Sequence, residues 1–224
     1  IKNKKIKYKI IALDGVPSKA KMIEQKHRRY MGSLIEILLS KINKREVNKW
    51  NKNNISPGTE FMDQLSKKLN TKEFNNLIKS ICPNLKELIV SDIYHFKEGE
   101  KKITDLIENT KFNDTDQVII YSPDADMILL AMLLNNVSNI TIYRHDQQKS
   151  EENEYYNTIN IKKLKSIVFK KIKEDMELFN KKVIMKNVIN DIILIFTVFG
   201  DDFLPKIESY DVRNDINKLL DIYG

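Results

Sequence analysis

Hydrophobic residues along this chain come either in short bursts or at intervals of three and four, and the two patterns alternate. Residues 8–13 (YKIIAL), 87–90 (ELIV), 118–121 (VIIY) and 139–143 (NITIY) are short and rich in β-branched side chains, as strands of a parallel sheet are. Between them lie helical patterns. Residues 19–42 carry Met22, Tyr30, Leu34, Ile35, Leu38 and Leu39, and a helix capped by Thr59 places Phe61, Met62, Leu65 and Leu69 on one face. Further helices are predicted over residues 72–81, stopping before Pro83, over KKITDLIEN after Glu98, over MILLAMLL after Asp126, and over 161–179 and 186–199. Residues 44–54 are polar apart from Val47 and Trp50 and read as an arm or loop. The expected architecture is α/β, a mostly parallel central sheet flanked by helices. It forms one domain over 1–224 with a basic helical arm at about 17–54.

Acidic residues follow these apolar elements. Asp14 ends the first strand, Glu98 and Glu100 follow the second, Asp124 and Asp126 follow VIIY, and Asp202 follows the last helix in GDDFLP. Each has a plainer explanation: Glu98 and Glu100 complement a helix dipole, and Asp126 caps a helix while Asp124 is solvated. Asp201 and Asp202 are harder to explain that way, because a helix C-terminus disfavours negative charge. If the strands lie parallel in one sheet, these carboxylates meet at one edge. Their repulsion would then need divalent cations, and two ions about 4 Å apart support in-line phosphoryl chemistry. Hard carboxylate oxygens suit Mg²⁺.

Charge adds a second ingredient. Lys and Arg outnumber Asp and Glu by 38 to 31, a net +7 that favours polyanions, with lysines crowding the first half. Lys21, Gln25, Arg28 and Arg29 fall at i, i+4, i+7 and i+8, one helical face at the end nearest Asp14. Such a face could hold a terminal phosphate, or it could be an ordinary solvated face packing through its stems. Cys82 is the only cysteine, so no disulfide forms within the chain and a reducing, intracellular setting is expected, cytoplasmic before nuclear. The apolar runs are too short to cross a bilayer, and no membrane partner is expected. His27, His95 and His145 are isolated, so no zinc-type ligand spacing exists. The first residue is Ile rather than Met, which is expected of a piece of a longer protein.

In order, LDGVPSKAKMIEQKHRRY (13–30), ISPGTEFM (55–62), EGEKKI (98–103), DADMILL (124–130) and GDDFLP (200–205) resemble the signatures of the Xrn-type 5′→3′ exoribonucleases. The wider relatives are flap endonucleases and PIN-like nucleases. The resemblance implies processive hydrolysis of single-stranded RNA bearing a 5′-monophosphate, dependent on two Mg²⁺ ions, with Mn²⁺ able to substitute. It implies that Asp14, Glu98, Glu100, Asp124, Asp126 and Asp202 are the catalytic, metal-binding acids, and that Lys21, Gln25, Arg28 and Arg29 hold the 5′-phosphate.

The chain departs from that pattern in places. Phe96-Lys97 stands where Pro-Gly is usual before the first glutamate, Lys101 where histidine is usual, Ser122-Pro123 before the aspartate pair, and Asp201 where asparagine is usual. The pattern also includes a strand upstream of Asp14 with one more aspartate and a base-stacking residue, and a long extension after GDDFLP; the 224 residues contain neither. Two other readings therefore stand beside the exoribonuclease: a structure-selective DNA flap endonuclease, and a catalytically incomplete fragment that binds RNA 5′ ends.

Overall fold

In the computed structural model, residues 6–44, 46, 50–145, 156–177, 183–199, 215, 218 and 221–223 are described. The chain divides into two compact units, residues 1–103 and 104–224.

The first unit is built on a parallel pair, β1 (Tyr8–Ala12) and β2 (Glu87–Ser91), in the register Tyr8 opposite Glu87 through Ala12 opposite Ser91. The pairing continues one residue further, where Leu13 N–H donates to the Ser91 carbonyl at 2.8 Å. Helix α1 (Lys19–Asn43) begins after Pro17, with Ser18 as N-cap accepting from Lys21 N–H. Gly58, at φ +91°, makes the turn that delivers Thr59 as N-cap of α2 (Glu60–Leu69). Thr71 likewise caps α3 (Lys72–Ile81), which ends at Cys82 just before Pro83. Met62, Ile78, Leu85 and Ile93 are the buried apolar side chains here, and Trp50 packs edge-on against Phe61 with ring centroids 5.2 Å apart. Helix α4 (Gly99–Glu108) follows the loop after β2 and runs across the boundary between the units.

The second unit holds β3 (Val118–Tyr121), parallel to β4 (Ile140–His145), with β5 (Tyr156–Asn160) antiparallel on the other side of β4. Helix α5 (Asp126–Leu133) is the connection between β3 and β4, and α6 (Ile161–Glu177) and α7 (Met185–Phe199) follow the sheet. Ile120, Met127, Ala131, Ile140 and Ile142 are buried, as is a cluster of Ile172, Val188 and Ile192 between α6 and α7. Strands and helices thus alternate, as expected for an α/β chain, and every pairing between β1 to β4 is parallel. Among the described residues, however, the strands form two sheets, and β5, which no apolar run marks, is an addition to the expected set.

Candidate active site

Asp14 lies two residues past the end of β1, and the start of α4 is folded back onto it. The Gly99 N–H donates to Asp14 Oδ1 at 2.7 Å, and a Cβ placed on Gly99 would stand 3.1 Å from the Ala12 carbonyl and 3.3 Å from Asp14 Oδ1. Glycine between Glu98 and Glu100 is therefore what lets the helix start press against the strand end. Gly15 does the same from the other side: a Cβ there would collide with the His95 carbonyl oxygen, so the turn after Asp14 is in backbone contact with the β2–α4 loop. Gly15 N–H donates to the Lys97 carbonyl at 2.9 Å, and Lys97 holds φ +84° to make this possible.

The basic face of α1 meets this corner at Lys21. Lys21 is 5 % exposed and its Nζ lies 3.3 Å from Glu98 Oε1, so the first lysine of the expected phosphate pocket is an ion-pair partner of an expected metal ligand. The other three separate. Gln25 and Arg29 line an open groove of about 470 Å³ with Val16, Tyr30, Ser33 and Ser56 among its walls. Arg29 donates to Ser56 Oγ and, at 3.2 Å, to the Ile55 carbonyl, which fastens α1 to the segment before Gly58. Arg28 is mostly exposed and pairs with Glu24 at 3.7 Å, one turn back on its own helix.

Asp124 lies in the turn after β3 in the second unit, and Asp126 is the first residue of α5. The Asp124 Oδ1 accepts from Asp126 N–H at 3.0 Å, while the Asp124 N–H donates to Ser122 Oγ at 3.1 Å. Asp124 is exposed, as in the plain reading, and adds a bond across the turn before α5, whose start carries no side-chain cap. Arg144, at the end of β4, donates to the Pro123 carbonyl at 2.9 Å and braces the same turn. Asp202 lies outside the described residues.

Two site-forming residues escaped the sequence reading. Asp92, just past β2, is nearly buried and accepts from Tyr94 N–H at 3.1 Å and Asn70 Nδ2 at 3.0 Å, with His95 Nδ1 at 3.0 Å. Its place shortly after a strand was the available signal, since Asp14 and Asp124 also follow strands closely. Lys102 sends Nζ to the carbonyls of Leu13 at 2.6 Å and Asp92 at 2.7 Å. Burial pulls its pKa below the usual lysine value, and the neighbouring carboxylates of Asp14 and Asp92 oppose that shift. Nothing in the local sequence distinguishes Lys102 from Lys101.

The donor set is carboxylate oxygen throughout, with a glycine cradle at Gly99, and this chemistry fits a hard divalent cation. As the side chains lie, no three acidic, imidazole or thiol groups among the described residues stand close enough to hold one ion. Asp14 is engaged by Gly99 and Glu98 by Lys21.

The first unit thus brings an acid past a strand end, an acidic helix start and a lysine of a basic helix together. Comparison with known proteins makes the class specific. The family model described as "XRN 5'-3' exonuclease N-terminus" matches residues 1–146. The chain is 37 % identical over 182 residues to "Putative 5'-3' exonuclease R528" of Acanthamoeba polyphaga mimivirus, an alignment covering 80 % of this chain and 29 % of that protein. It is 31 % identical over 228 residues to 5'-3' exoribonuclease 1 of Saccharomyces cerevisiae, covering 92 % of this chain and 14 % of the yeast protein. With 5'-3' exoribonuclease 2 of Schizosaccharomyces pombe the identity is 26 % over 259 residues, covering 95 % and 26 %. The chain belongs to the XRN 5′-3′ exonuclease N-terminal family. It spans less than a third of the length of these relatives.

Proposed function

We propose that this chain carries the hydrolytic region of a 5′→3′ exoribonuclease that acts on single-stranded RNA with a 5′-monophosphate and releases mononucleotides. The observation that carries the reading is the junction of acids and bases at one corner of the first unit. Asp14 and the Glu98–Gly99–Glu100 turn are bonded together, and Lys21 of α1 reaches Glu98. Cleavage of a phosphodiester next to a bound terminal phosphate needs both chemistries side by side. The family relationship supports the same choice over a DNA flap endonuclease, since the two yeast relatives are named for RNA.

Asp14, Glu98, Glu100, Asp124, Asp126 and Asp202 are the proposed carboxylate ligands of two Mg²⁺ ions. Bound there, the cations would ionise the attacking water and offset charge on the leaving oxygen. The chain's own residues do the rest. Lys21 supplies a point charge for the 5′-phosphate, Gln25 and Arg29 line the adjoining groove, and Arg28 contributes from the exposed side of α1. Among the described residues no helix is long and apolar enough to cross a membrane.

The test is release of mononucleotides from 5′-monophosphate RNA, with 5′-hydroxyl RNA and a DNA flap alongside, with and without Mg²⁺. Release that requires both the monophosphate and the metal is the expected result. Preferential cleavage of the flap would replace the reading with the DNA enzyme. Binding of phosphorylated RNA without cleavage at any Mg²⁺ concentration would make the chain a 5′-end-binding piece.

A further inference from the structure

We infer that Lys102 is a positioning residue for the acidic corner, holding Asp14 and the Glu98–Glu100 turn at a fixed separation. Three elements end at its side chain. Leu13 is the first residue past β1 and Asp92 the first past β2, and the carbonyls of both accept from the Lys102 ammonium, at 2.6 and 2.7 Å. The third element is α4 itself: Lys102 N–H donates to the Glu98 carbonyl at 3.0 Å, so the residue sits one turn inside the helix that Glu98 introduces. Helical side chains lean toward the N-terminus, which aims this one back across that first turn. One cation therefore links the main chain beside Asp14, the main chain after β2 and the helix bearing Glu100. A compact ammonium with three rotatable donors can serve two converging carbonyls in this way.

A simpler role competes with this one. Lys102 is also a positive charge close to acids, and by Coulomb's law alone a neighbouring cation opposes the binding of a second one. The two roles predict opposite signs. If Lys102 acts only through charge, removing it tightens divalent binding; if it positions the corner, removing it loosens the donor geometry and weakens binding.

The inference rests on the metal-binding reading of Asp14, Glu98 and Glu100, and the test separates the two. Mn²⁺ binding to the full chain is measured by titration calorimetry for the unsubstituted protein, Lys102→Met and Lys102→Gln. Loss of a partner that orients metal ligands typically costs about 10- to 100-fold in affinity, and a weakening of that size is expected for Lys102→Met. Lys102→Gln keeps a donor while shedding the charge, and a smaller weakening is expected; should the methionine variant not fold, this one decides. Equal or tighter Mn²⁺ binding by the variants overturns the positioning role while leaving the metal site intact. Absence of Mn²⁺ binding by the unsubstituted chain overturns the metal reading, and the inference with it.

Discussion

Lys97 occupies a backbone conformation that L-residues rarely adopt, φ +84°, at the position where the Xrn-type pattern usually has glycine. The conformation is imposed from outside, because Gly15 N–H donates to its carbonyl and Lys97 N–H reaches the Val16 carbonyl at 3.4 Å. Left-handed backbone costs a non-glycine residue about 1–2 kcal/mol, while glycine loses about 0.5–1 kcal/mol more chain entropy on folding. Lys97→Gly should therefore stabilise the protein by about 1 kcal/mol, roughly 2–4 °C in Tm for a chain of this size. Lys97→Ala keeps the strain and should give no such gain. Thermal melts of the two variants check this, and an equal rise for both would show that the backbone at Lys97 is not the cause.

At the scale of elements, α1 has two functions that its sequence periodicity runs together. Arg29 ties the helix to Ser56 and Ile55, whereas Arg28 is exposed and pairs with Glu24 on its own helix. Arg28→Gln is expected to leave the melting temperature within about 1 °C, as surface substitutions do, while reducing the preference for 5′-monophosphate over 5′-hydroxyl RNA. Arg29→Lys should lower stability by about 1 kcal/mol through loss of the forked contacts. An unchanged end preference in Arg28→Gln would leave that arginine on a solvated face. Helix α6 offers a pH test. Lys165 Nζ donates to the Leu134 carbonyl just past α5 at 3.0 Å, and burial lowers its pKa below 10.5. A lysine depressed in the folded state binds fewer protons than the unfolded chain between its folded pKa and 10.5, so its contribution to stability rises with pH across that window. Lys165→Met should remove that increment, seen as a flatter difference in denaturation midpoint between neutral pH and pH 10. The periodic elements were legible because their signals are local: VIIY suits a buried strand better than a helix, and Thr59 and Pro83 mark helix ends by their own chemistry. Strand β5 was not legible, since YNTIN carries a single aliphatic residue and owes its conformation to pairing with β4. Lys102 and Asp92 were hidden for a similar reason, as their partners are carbonyls and amides brought together only by the tertiary fold.

For the molecule as a whole, a net charge of +7 coexists with acids that follow strands, and the proposed function makes opposite demands of them, cations to bind RNA and carboxylates to hold metal. Asp124 separates the two demands best. Its carboxylate is a proposed metal ligand, yet one oxygen already accepts from Asp126 N–H and holds the start of α5. Asp124→Asn retains an oxygen for that bond and removes only the charge, whereas Asp124→Ala removes both and should cost about 0.5–1 kcal/mol of stability beyond the asparagine variant. A ligand that helps stabilise transition-state charge by several kcal/mol affects rate steeply, at about tenfold per 1.4 kcal/mol, so Asp124→Asn should slow nucleotide release by about 100-fold or more. In EDTA the same variant should bind 5′-monophosphate RNA at least as tightly as the unsubstituted chain, because one repulsive charge has gone, and the difference should shrink as salt screens it. Single-turnover cleavage and filter binding at two salt concentrations read the two quantities separately. Cleavage that survives in Asp124→Asn would remove Asp124 from the metal site, while weakened binding in EDTA would mean that this turn touches RNA through its shape rather than its charge.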